Sequence, residues 1–182
     1  ILKVYGESGT APGQFNMVFR AAPHPDKNWM YITDIRNDRV QVLTYDESYN
    51  ITVKTTFGET GFDDGQFNGP NGVAVARING KIRVVVTDEF AGKNNMGRLK
   101  VFNAKGKFIK TIDTITHNGM TYNMMWPQGI TIDKDGNIIV GDTGNYRVVR
   151  TDIDGNGVPF YNGDIVLPMP VSGNWVFPSG VK

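Results

Sequence analysis

The sequence predicts an all-β chain assembled from a repeated four-stranded antiparallel meander. Three observations predict it. First, short β-branched runs are punctuated by Asp, Asn and Gly, most clearly in residues 127–155, where 130–132, 138–140 and 148–149 are separated by Asp133-Lys-Asp135-Gly136 and Asp142-Thr-Gly-Asn145. Runs of that kind, too short for helices, read as strands joined by tight turns. Second, residues 5–16 and 57–68 match without a gap, with Gly6/Gly58, Glu7/Glu59, Gly9/Gly61, Gly13/Gly65, Gln14/Gln66, Phe15/Phe67 and Asn16/Asn68 identical. Third, Asp34, Asp88 and Asp142 each end an apolar run at an even spacing of 54 residues. A period near fifty residues with four strands per unit marks a partial β-propeller.

The elements follow in order. Residues 1–5 align with the last strand of a unit. The glycine-rich segments 6–15 and 58–67 connect an outer strand to the next inner strand, and Phe15 and Phe67 are expected to plug between blades. The first unit, within 15–57, has strands at 18–22, 29–33, 40–45 and 51–56. The second, within 67–112, has strands at 72–76, 81–87, 98–102 and 108–112, with Asn103-Ala-Lys-Gly-Lys107 as a hairpin turn. The third, within 126–166, loses regularity after 155: four prolines between 158 and 178 leave room only for short strands. Residues 176–182 read as the start of another unit. The whole is one domain, expected to be about half of a ring whose remaining blades come from the same protein or another chain.

One detail repeats closely: Asp34-x-x-Asn37-x-Arg39-Val40 and Asp142-x-x-Asn145-x-Arg147-Val148, preceded in the third unit by Pro127-x-Gly129-Ile130. This pattern resembles the NHL repeat. In the first unit Val18 and Arg20 stand where Pro and Gly are expected, and in the second ten positions rather than five separate Asp88 from Arg98, an insertion. The resemblance implies a propeller, commonly six-bladed, used mostly as a binding platform and sometimes as an enzyme.

Composition narrows the function. Charge is balanced, 19 Lys+Arg against 18 Asp+Glu, which disfavours nucleic acid as a partner. Without cysteine there are no disulfides, thiolate metal sites or Cys nucleophiles. No apolar run reaches the ~20 residues of a membrane span. An extracellular or periplasmic location fits the absence of cysteine and what the resemblance implies, with a cytoplasmic one as the alternative.

Repetition argues that the Asp-x-x-Asn-x-Arg cassette is a structural brace, since a catalytic group should occur once. Asp152-x-Asp154-x-Asn156 has the first half of a calcium loop, but position twelve is Gly163 instead of Glu. His24 and His117 are expected on opposite faces, so no shared metal is expected, and no cofactor. Topology places the connectors on one face with the loops between second and third strands. Both insertions fall there: the one after Asp88 and the loop 117–125, HNGMTYNMM. The expected function is a non-catalytic binding scaffold for a protein or carbohydrate partner, contacted by Phe90, Lys93, Asn94, Asn95, Met120 and Tyr122. The alternative is a lactonase- or lyase-like propeller enzyme with a divalent metal in its central channel.

Overall fold

A computed structural model describes residues 4–90 and 96–168. The expectations for residues 1–3, for Lys93, Asn94 and Asn95, and for 176–182 lie outside the described residues.

A two-stranded parallel ladder, β1 (Glu7–Ser8) and β2 (Gln14–Phe15), forms the first connector. The first blade is β3 (Val18–Pro23), β4 (Trp29–Asp34), β5 (Arg39–Tyr45) and β6 (Ile51–Phe57), in sequential antiparallel order. The second contains β7 (Pro70–Ile78), β8 (Lys81–Asp88), β9 (Met96–Asn103) and β10 (Phe108–Ile112). A hairpin of β11 (Thr114–His117) and β12 (Met120–Met125) follows. The third blade is β13 (Pro127–Ile132), β14 (Ile138–Asp142), β15 (Arg147–Thr151) and the short β16 (Val166–Pro168).

Inner strand β7 packs against both neighbouring inner strands, β3 and β13. This is the radial arrangement of propeller blades. All three inner strands slip register near their start, between Val18 and Ala21, Pro70 and Val73, and Pro127 and Ile130. Gly72 lies at the second slip. A Cβ there would collide with the Gln128 carbonyl of the next blade, so glycine permits the close approach. Two threonines on second strands tie the blades: Thr33 Oγ1 donates to Asn71 O (2.8 Å) and Thr87 Oγ1 to Gln128 O (3.2 Å).

Strand periodicity divides the core. Val84, Val86 and Phe102 face the first blade, with Tyr31, Val40, Val42 and Phe67. Val85, Leu99 and Val101 face the third, with Ile138, Val140 and Val149. The second sheet is thus buried on both sides, which is why its β8 reads as an unbroken Val84-Val85-Val86 run rather than an alternation. Phe67 plugs the interface as expected, fully buried against Phe57 and Phe102, whereas Phe15 is half-buried.

The segment 117–125, expected as a loop, is instead mostly strand. Asn118 and Gly119, with φ of 49° and 76°, make the two-residue turn between β11 and β12. The hairpin interrupts the edge strand: β10 reaches Leu99 of β9, and β12 resumes the pairing at Gly97 and Met96.

Candidate functional site

The cassette aspartates Asp34, Asp88 and Asp142 are fully buried at the ends of the second strands. Each accepts a backbone N–H from the residue that precedes the inner-strand entry: Asn16, Asn68 and Met125 respectively, all at 2.7 Å. Asp34 Oδ2 also accepts from Asn37 (2.8 Å), Arg39 Nε (2.8 Å) and Gln41 Nε2 (3.2 Å). Asp142 Oδ2 accepts from Asn145 (2.9 Å) and Arg147 Nε (2.7 Å). The intervening residues form single 3-10 turns, Ile35–Asn37 and Thr143–Asn145, closed by left-handed Asp38 and Tyr146. The arginines continue outward to connector carbonyls, Arg39 to Thr10 and Gln14, and Arg147 to Asn123. In the first and third blades both carboxylate oxygens are used, so the cassette is a brace that clamps connector to blade.

The second brace is different. No Asn follows Asp88 at the third position, where Ala91 stands. Arg98 Nε is 3.5 Å and Lys100 Nζ 3.8 Å from Asp88 Oδ2, and that oxygen has no hydrogen bond. Burial pushes the Asp88 carboxyl up to about 6. Lys100 takes the place of Gln41: both donate to the connector carbonyl at equivalent positions, Lys100 to Gln66 and Gln41 to Gln14. Burial lowers the Lys100 ammonium to about 8.

The connectors are self-bonded. Gln14 Nε2 reaches Glu7 (2.8 Å) and Gln66 Nε2 reaches Glu59 (3.1 Å), while their carbonyls accept from Ala11 and Asp63. At the opposite end, Asp46, Asn103, Asp133 and Asp152 each accept the N–H groups two and four residues on, at 2.8–3.0 Å. The half calcium loop is therefore one of four side-chain-closed turns. Its Asp152 also accepts from Asn156 Nδ2, and Asp154 pairs with Lys110 at 2.6 Å. Calcium is expected to leave the melting temperature unchanged. A rise that Asp154→Ala abolished would overturn that expectation.

Among the described residues no three His, Asp or Glu side chains gather at a metal-holding distance. His24 is buried between Trp29 and Tyr31, and its Nδ1 accepts from Asp26 N–H at 3.0 Å. Desolvation lowers its pKa. His117 lies beside Gly157, its Nδ1 3.2 Å from that carbonyl.

The position of His117 corrects the expected grouping of loops. β11 pairs with Asn156 and bonds to Gly155 and Gly157, next to the β15–β16 connection. Only the far end of the hairpin, at Asn123, reaches the connector face, through Asn145 and Arg147. Met120 is exposed, but three residues back along β12 from Asn123, toward the turn. Tyr122 is half-buried, because period-two alternation puts it on the side of buried Met124; its ring packs on the third-blade core with the Arg147 guanidinium 5.5 Å away. Phe90 is exposed on the connector face and lies over Gly69.

Met17, Trp126 and Glu89, which the expected contact set left out, stand on this face. Met17, Gly69 and Trp126 occupy one repeated position at the inner-strand entry, all with positive φ: 69°, 82° and 48°. Met17 and Trp126 are exposed. The alignment of Met17 with Gly69, the first position after the match of 5–16 with 57–68, was the available signal. The third is Glu89, whose carboxylate accepts from Asn71 Nδ2 (3.0 Å) and Gln128 Nε2 (2.9 Å) on two adjacent inner strands.

A family model described as NHL repeat matches residues 124–150. Protein brain tumor of Drosophila melanogaster is 31% identical over 152 residues, which is 84% of this chain and 13% of that protein. The chain thus spans a small part of that relative's length. A streptogramin B lyase structure aligns at a TM-score of 0.43 with 15% identity, covering 84% of this chain and 55% of its own. Kuenenia stuttgartiensis hydrazine synthase aligns at 0.35 with 14% identity, covering 74% and 64%. Neither structural likeness bears on function. With its repeat match, its similarity to brain tumor over most of its length, and its recurring Asp-Arg braces, this chain belongs to the NHL-repeat family of β-propeller proteins.

Proposed function

We propose that this chain is a non-catalytic binding scaffold that presents its connector face to a partner, a protein in preference to a carbohydrate. The observation that carries the reading is the β8–β9 connection. It is longer in sequence than its counterparts in the first and third blades, and Phe90 near its start is 42% exposed beside a brace whose Asp88 Oδ2 has no hydrogen bond. An insertion on a rigid repeated scaffold is where binding residues concentrate. An exposed aromatic side chain beside exposed methionine and tryptophan suits a protein interface. Contacts are assigned to Phe90, Lys93, Asn94 and Asn95. Met120 lies away from the connector face, and Tyr122 contributes packing.

Alanine substitution at Phe90 is expected to weaken partner capture by about 1–2 kcal/mol, the range of an interface aromatic, while the melting temperature stays nearly constant. The reading fails if binding responds only to substitutions in the 103–107 or 152–155 turns.

A further inference from the structure

The chemistry of the partner can be taken further, on the basis that the connector face is the docking surface. Every blade requires a left-handed residue at the inner-strand entry, so that the preceding N–H can reach the buried aspartate. Glycine satisfies this without strain, and the second blade uses it. Methionine and tryptophan do so at a cost, and bulky side chains with positive φ are genuine outliers. The cost gains little packing at Met17, which is 50% exposed. In the second blade Phe90 covers the glycine, so each blade presents one large apolar side chain at the same place: Met17, Phe90 and Trp126.

Between them lies an unusual polar group. Asn71 is 97% buried, and its Nδ2 donates to Glu89 while its Oδ1 has no partner. Glu89 already takes one N–H on each oxygen and retains lone pairs on both. The part-exposed Glu89 carboxylate thus offers two oxygens as acceptors above the buried, unpartnered Asn71 Oδ1, and the amide donors on the Glu89 side are committed. A donor-only cation complements it. Guanidinium, with five N–H groups and no acceptor, does so better than a point-charge ammonium.

The surrounding charge has the matching sign. Among the described residues the face carries Glu7, Asp38, Glu59, Asp63, Asp64 and Glu89, all at least partly exposed. Among the described residues its cations are mostly committed: Arg39, Arg98 and Arg147 to their braces, and Lys100 to buried carbonyls, leaving Arg36 exposed. Such a field attracts a basic segment and repels phosphate. We propose that the connector face binds a peptide segment of a protein partner in which an arginine engages the Glu89 carboxylate and flanking apolar side chains rest on Met17, Phe90 and Trp126.

The test uses the full-length protein and three labelled probes: a peptide of alternating arginine and leucine, a peptide of alternating glutamate and leucine, and single-stranded RNA. The arginine peptide is expected to bind best. Glu89→Gln should weaken it about tenfold without lowering the melting temperature, because an amide at 89 can donate to the free Asn71 Oδ1. Met17→Gly should weaken it as well, with melting unchanged or raised. Asp64→Asn should have a smaller effect, and an equal effect would mean unspecific charge attraction and overturn the proposal. If the acidic peptide or RNA binds better and Phe90→Ala weakens that binding, the face is a docking surface and the assigned chemistry is wrong. If binding of all three is indifferent to Phe90 and Met17, the docking surface itself is wrong.

Discussion

Asp34→Ala is expected to lower stability by about 3–5 kcal/mol, as for removal of one partner from a buried ion pair. The carboxylate is fully buried and holds four donors: the Asn16 N–H, Asn37, Arg39 and Gln41. Alanine leaves all four facing a void, and Arg39 has only its outward bonds to connector carbonyls. Asp142→Ala, with three donors, should follow closely. Gln41→Ala should cost less, about 1–2 kcal/mol, since it removes neutral hydrogen bonds. Urea unfolding monitored by tryptophan fluorescence measures all three. A change below about 1 kcal/mol for Asp34→Ala would show that the brace is not what holds connector to blade. Unchanged stability with loss of partner binding would make the cassette a site.

The second large effect is pH dependence specific to Asp88. Its native carboxyl sits at about 6, against 3.8 for the ordinary side chain, because burial is not repaid by a close partner on Oδ2. Between those values the native state holds a proton that the unfolded chain has released. The stabilisation is therefore complete below about pH 4 and is lost as pH rises through about 6. A displacement of that size corresponds to about 3 kcal/mol. Asp88→Asn removes the titration while preserving an acceptor for the Asn68 N–H. Relative to the parent protein, this variant should gain about 2–3 kcal/mol between about pH 4 and pH 7, whatever its offset at a single pH. A flat difference across that window, or a falling one, would refute the assignment.

Much of this protein was legible in its residues, and the reason is repetition. The blade strands carry period-two or wholly apolar runs, and Asp or Asn at four of the turns bonds its own backbone, so local chemistry delimits most of them. The aspartate series announced a brace, because a group needed once per blade must bond to its own blade. The Asn118-Gly119 pair likewise marks a hairpin, although the stretch around it reads as loop.

Tertiary structure decided the rest, because it depended on contacts between residues far apart in the chain. Tyr122 turns inward only because β12 completes the edge of β9 beside the third blade's core. His117 and Met120 leave the connector face because β11 is held by Gly155 and Gly157. Lys100 looks like an ordinary strand lysine until the fold buries it beside Asp88 and under the Gln66 carbonyl, 34 residues away. Glu89, Asn71 and Gln128 become one cluster only where two inner strands converge. Sequence sets the period of each strand and the chemistry of each turn, which depend on near neighbours. Which side chains meet across blades depends on how the sheets pack, and no short-range pattern encodes that.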